Sequence, residues 1–187
     1  MYIFSCILFV PAIFADSVPE IKQIDGEYKI ILTQKMEAAL KKYDSKFSAW
    51  RQQDYISSIA NSPSSFSNRK TPFAVIGDFN GDGISDVVLS GHNAEYELLI
   101  CIMSEKDNFK VIQIDKNGLR DPKSEYLDDE HGFYMYLSYA PQGEISSPYE
   151  EKILNLKTDA FEIIYYGKGA GLYYYNNGIF LGYTTSD

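Results

Sequence analysis

From Gln34 to Gln53 apolar side chains return at spacings of four and three. Met36, Leu40, Tyr43, Phe47 and Trp50 would therefore share one face of a helix. Thr33 stands at the N-cap position, and Glu37 and Lys41 form an i,i+4 pair. Lys35, Lys41, Lys42, Lys46 and Arg51 lie off the apolar stripe as a solvated basic face. Before this helix, residues 21–32 read as a short extended segment turning at Asp25-Gly26. After it, Ser, Asn and Pro dominate residues 61–71, a loop composition.

Beyond the loop the pattern turns to strands, at residues 72–77, 84–91, 96–104, 109–114, 132–139, 160–166, 172–175 and 179–183. Turn residues separate them: His92-Asn93-Ala94, Lys106-Asp107-Asn108 and Asn176-Asn177-Gly178. Leu98–Met103 is apolar at every position, which predicts a central strand covered on both faces. The stretch 115–131 reads as a long acidic loop carrying Asp121, Glu125, Asp128, Asp129 and Glu130. The predicted fold class is α+β: one N-terminal amphipathic helix packed on a mostly antiparallel β-sheet, with a polar β-hairpin loop at residues 78–86.

The first fifteen residues carry no charged side chain, and Pro11 ends their apolar run. A membrane-spanning helix needs about 20 apolar residues. The run instead fits a secretory signal peptide, residues 1–15, cleaved after Ala15 so that the mature chain begins at Asp16. Residues 16–187 then form a single domain in the periplasm or secreted medium. Cleavage removes Cys6 and leaves Cys101, which its apolar neighbours mark as a small buried hydrophobe.

Lys and Arg number 17 against 26 Asp and Glu, a net charge of -9. That balance excludes a nucleic-acid footprint. No nucleophile elbow, zinc-protease helix or phosphate loop is present. His92 reads as a turn residue and His131 as part of a solvated loop. Tyr165-Tyr166 and Tyr173–Tyr175 alternate along strands, so one set of rings faces outward, where it can stack on sugars or anchor a protein.

One segment carries recognisable chemistry. In Asp78-Phe-Asn80-Gly-Asp82-Gly-Ile84-Ser-Asp86, oxygen-bearing side chains stand at positions 1, 3, 5 and 9, and glycine stands at position 6. Calcium takes six to eight oxygens, and a tight loop aims alternate side chains at one centre. The backbone carbonyl of Ile84 falls at the seventh position. Without a cation, three carboxylates crowd into nine residues. Leu89 occupies position 12, where an EF-hand needs a bidentate Glu, and both flanks are strand-like. The loop therefore joins two strands.

The run Gly77-Asp-Phe-Asn-Gly-Asp-Gly-Ile-Ser-Asp86-Val-Val-Leu89 resembles the calcium-binding hairpin of FG-GAP/VCBS repeats, found in integrin α-subunit propellers. The resemblance implies one Ca²⁺ held by Asp78, Asn80, Asp82, the Ile84 carbonyl and Asp86. Propellers need about four to eight blades, whereas this chain carries one copy of the loop. Asp115-Lys-Asn117-Gly-Leu-Arg-Asp121 is a partial echo without an oxygen at the fifth position. The expected function is a non-enzymatic calcium-binding domain for protein or glycan interaction, the calcium being structural. The alternatives are an inhibitor of an envelope hydrolase, presenting the acidic stretch 121–130 to a basic cleft, and a hydrolase built on a carboxylate pair.

Overall fold

The computed structural model describes residues 18–62, 71–127 and 129–186. The expected signal peptide with Cys6, the Asp16 start and most of the Ser/Asn/Pro loop lie outside these residues.

The chain enters as a hairpin of β1 (Glu20–Ile24) and β2 (Glu27–Ile31), turned by Asp25 and Gly26 at φ of 54° and 84°. Helix α1 (Gln34–Tyr43) follows, and the Thr33 hydroxyl accepts from the Met36 N–H at 3.2 Å, as a cap should. The helix ends ten residues earlier than its periodicity predicts. Asp44 breaks it: its carboxylate accepts from the Lys46 N–H at 2.8 Å and from the Asn93 amide at 2.7 Å. Such a side chain offers the backbone an alternative to the helical ladder. The chain then runs extended through β3 (Ser48–Ala49), which pairs with Gly91 and His92. Phe47 and Trp50 still reach the core, but by an extended path. A one-turn helix α2 (Ser57–Ala60) follows.

The eight strands expected downstream are present, several of them longer than predicted. Strands β4 (Ala74–Gly77), β5 (Asp86–His92), β6 (Tyr96–Glu105) and β7 (Asn108–Gly118) form an antiparallel sheet in the order β3-β5-β6-β7, with β4 also paired to β5. The small pair β8 (Tyr126–Leu127) and β9 (Glu130–His131) leads to β10 (Met135–Ala140). A second small pair, β11 (Gly143–Ile145) and β12 (Leu154–Leu156), precedes β13 (Ala160–Tyr165), β14 (Gly169–Asn176) and β15 (Ile179–Ser186). The second large sheet is antiparallel in the order β10-β13-β14-β15.

The α+β expectation is overturned. The described residues are 52% strand and 13% helical, with a single substantial helix among them, and a hairpin rather than a helix stands at their N-terminal end. It is a mostly antiparallel β protein. The physical reason is the long β-branched and aromatic run after residue 71, which outweighs one ten-residue helix.

Strand β6 explains the layering. Leu98, Ile100 and Ile102 point to a core shared with Met36, Trp50, Ile56, Ile59 and Phe133. Leu99, Cys101 and Met103 point the other way, to Leu137, Phe161 and Ile163 of the second sheet. Period-two alternation with both faces apolar is what a strand between two cores requires. Burial lifts the Cys101 thiol well above its ordinary pKa, in keeping with the expected inert hydrophobe.

Candidate functional site

The loop between β4 and β5 carries four of the five sequence-predicted ligand positions, and the fifth, Asp86, opens β5. Gly81 and Gly83 sit at φ of 79° and 82°, a region open to glycine at little cost. At Gly81 any Cβ would also lie 2.8 Å from Thr158 Cγ2.

The carboxylates organise the loop through its own amides. Asp78 Oδ1 accepts from the N–H groups of Gly81 (2.8 Å) and Asp82 (3.1 Å), and Oδ2 from that of Gly83 (2.9 Å). Asn80 Oδ1 accepts from the Asp82 N–H at 3.0 Å, and Asp82 Oδ1 from the Ile84 N–H at 2.9 Å. Asp86 is fully buried. Its Oδ2 accepts from the Phe79 N–H at 3.0 Å and its Oδ1 from the Ser104 N–H at 2.7 Å. Burial pushes the Asp86 carboxyl up to about 6, against the lowering effect of the Ser104 and Phe79 hydrogen bonds and with a smaller upward push from Asp82.

Two residues that no sequence motif marks complete the loop's setting. Ser104, at the end of β6, donates its hydroxyl to Asp82 Oδ2 at 2.7 Å and receives the Asn80 amide at 3.0 Å. Asp159, just before β13, accepts from the Asp78 N–H at 3.0 Å and from the Tyr139 hydroxyl at 2.7 Å. The loop is thus tied to both large sheets. Ser104 lies 24 residues from Asn80 and Asp159 lies 81 from Asp78, so no local spacing could reveal them.

The donor set is all hard oxygen, which fits Ca²⁺ by ligand chemistry. Among the described residues no Lys or Arg is ion-paired to Asp78, Asp82 or Asp86. Each carboxylate oxygen has two lone pairs, so an oxygen that accepts one amide, such as Asp78 Oδ2, Asp82 Oδ1 or either Asp86 oxygen, keeps acceptor capacity for a cation, whereas Asp78 Oδ1 already accepts two. As placed, the carboxylates are aimed at loop amides. Among the described residues, no three His, Cys, Asp or Glu side chains gather in an arrangement ready to hold a metal ion. Asp78, Asn80, Asp82, Asp86 and the Ile84 carbonyl are the groups that would hold it.

The partial echo at 115–121 is not a loop of this kind. Asp115 and Asn117 belong to β7, and Asp115 accepts from its own neighbours, the Lys116 N–H and the Asn117 amide, both at 2.8 Å. The stretch 115–131, predicted as one acidic loop, holds the end of β7, a 3-10 turn and the β8–β9 pair, with its Asp128 outside the described residues. Asp121 caps a short 3-10 turn at Pro122–Ser124, and Glu130 accepts from the Ser58 N–H and hydroxyl, both at 2.9 Å. That carboxylate, 72 residues distant, serves the first turn of α2, whose own N-cap residue Ile56 has no capping oxygen. His92 stacks on Trp50 with ring centroids 4.2 Å apart.

A second feature, absent from any contiguous motif, is a cleft of about 370 Å³ where β6 and β7 meet β10, β13 and β14. Its ion pair joins buried Glu97, 8% exposed, to half-buried Arg120. Nε lies 3.0 and 3.1 Å from the two Glu97 oxygens, and Nη2 lies 2.7 Å from Oε2. Arg120 Nη1 reaches Glu125 at 3.5 Å. Tyr134, Tyr165 and Tyr173 also line the cleft.

Among the described residues, no helix is long and apolar enough to cross a membrane. No family model matches the chain, and no curated protein or solved structure matches it.

Proposed function

We propose that the chain is a non-enzymatic binding domain, periplasmic or secreted, that engages a protein or a glycan and uses Ca²⁺ as a structural ion in the hairpin loop. One observation carries the metal reading. Asp78, Asp82 and Asp86 lie within nine residues, and among the described residues no cationic side chain is ion-paired to them. A bound divalent cation relieves that repulsion. The loop's ties to Ser104 in one sheet and Asp159 beside the other support a structural role, because an ion there braces the layers. The resemblance of residues 77–89 to the FG-GAP/VCBS hairpin points the same way.

Calorimetry on chelator-stripped protein tests the metal reading. One Ca²⁺ binds per chain, with affinity as weak as about 10⁻⁴–10⁻³ M, typical of extracellular modules. Asp82→Ala removes the binding heat. No heat at millimolar Ca²⁺ overturns the reading. Amino-terminal sequencing of protein recovered from a host's envelope fraction tests export, with Asp16 as the expected first residue.

A further inference from the structure

We infer that the cleft between the two large sheets is a binding site for a neutral saccharide. The inference deepens the reading of the chain as a binding domain and rests on it. The cleft's volume of about 370 Å³ falls within the range of small-ligand sites, about 300–1,000 Å³.

The floor is apolar and buried, formed by Leu99, Leu137 and Ile163. At the wall, Tyr165 keeps 44% of its surface exposed although it is a large aromatic ring on a core-facing strand. Tyr173, also lining the cleft, is fixed by stacking on Phe161 with centroids 5.4 Å apart and planes 12° apart. Rigid, partly exposed rings of this kind offer their faces to the C–H side of a sugar at low entropic cost.

The polar groups choose among ligand classes. Arg120 has five N–H donors, of which three face the carboxylates of Glu97 and Glu125, leaving two. Asn117, whose Nδ2 donates to Asp115, adds its amide oxygen to the same lining. Sugar hydroxyls both donate and accept, and this wall offers both roles. A nucleotide or other anion would meet Asp115, Glu97 and Glu125 against one arginine, an unfavourable balance. An organic cation would find two of those three carboxylates already engaged by Arg120. The Glu97–Arg120 fork holds these groups in place before any ligand arrives.

Asn117 provides a direct test. It is exposed, it lines the cleft and it pairs with Glu97 on the cleft face of β6 and β7, so a large side chain there projects into the opening. Saturation-transfer NMR on the intact chain, with maltohexaose, cellohexaose, chitohexaose, xylohexaose and mannohexaose as probes, reads the binding. At least one hexasaccharide is expected to bind, with affinity falling tenfold or more in both Tyr165→Ala and Asn117→Trp while their melting temperatures stay within a few degrees of the parent. Binding to none of the five, or binding unaffected by both substitutions, overturns the site. Spermidine or hexalysine displaced by Asn117→Trp, with no hexasaccharide bound, reassigns the cleft to cations and overturns the saccharide. Each titration is run with Ca²⁺ and with chelator. Failure of the calcium reading appears as a melting curve indifferent to the metal, separately from any loss of sugar binding.

Discussion

The hairpin loop and the interlayer cleft are two polar features built on opposite principles. The loop is local: Asp78, Asn80 and Asp82 satisfy amides two to five residues away, and its shape follows from nine consecutive residues. The cleft is assembled from residues between Ser90 and Tyr173 and has no contiguous signature. The loop carries clustered like charges held close by short hydrogen bonds, whereas the cleft pairs its most buried charge, Glu97, with a forked guanidinium. A local motif fixes the chemistry of a site and leaves its surroundings open. A distributed site depends on the two sheets being stacked correctly, so it inherits the stability of the whole core.

The largest effect that separates them is expected at Asp86. Replacing it with Ala orphans the Phe79 and Ser104 amides, both buried, at about 1–3 kcal/mol each. Urea denaturation should show a loss of several kcal/mol, and the cleft should loosen with it because Ser104 ends β6. A loss below about 1 kcal/mol would show that the loop is energetically separate from the sandwich.

Calcium comes next. A ligand at a hundredfold excess over its Kd stabilises the folded state by about 2.7 kcal/mol. Each kcal/mol moves the Tm of a domain this size by about 2–4 °C, so saturating Ca²⁺ should raise it by about 5–10 °C. Asp78→Ala should abolish the rise. A flat response with calcium-dependent capture of a partner would instead make the loop a bridging site.

A smaller effect is expected at Glu130, where the Ser58 N–H and hydroxyl hold the carboxyl below its ordinary value of 4.5. A depressed folded-state pKa contributes stability above the unfolded value and loses it as pH falls through the folded one. Acid titration of the melting temperature should therefore show a steeper decline below about pH 4.5 in the parent than in Glu130→Gln. Identical slopes would remove the tie between β9 and α2. The smallest change in stability is expected for Asn117→Trp, within about 0.5 kcal/mol, since the position is exposed. Cys101 gives a clock for the core they share: a thiol reagent should modify it no faster than global unfolding, because burial removes both access and thiolate.

Much of the fold was legible because its signals are short-range. The Asp25-Gly26 and Asn177-Gly178 turns, the Thr33 cap and the doubly apolar run of β6 each depend on neighbours within a few residues. The helix length was not legible. Phe47 and Trp50 keep helical spacing, yet the Asp44 side chain diverts the backbone and pairing with β5 captures the next segment as β3. Strands as short as β3, β8 and β9 form only where a partner strand already stands, so they leave no periodicity to find. The α+β expectation failed on the same ground: one periodic helix is conspicuous in sequence, but a stacked pair of sheets is decided by long-range pairing.

The sequence by itself determined the oxygen-rich loop, its glycine turns and the strands on either side, because a nine-residue ring closes through its own amides. Only the tertiary structure decided that Ser104 and Asp159 seat that loop and that Arg120 meets Glu97. It alone opened a tyrosine-walled cleft between the sheets. Those contacts join residues about twenty to eighty positions apart, and only burial of both faces of β6 brings them together.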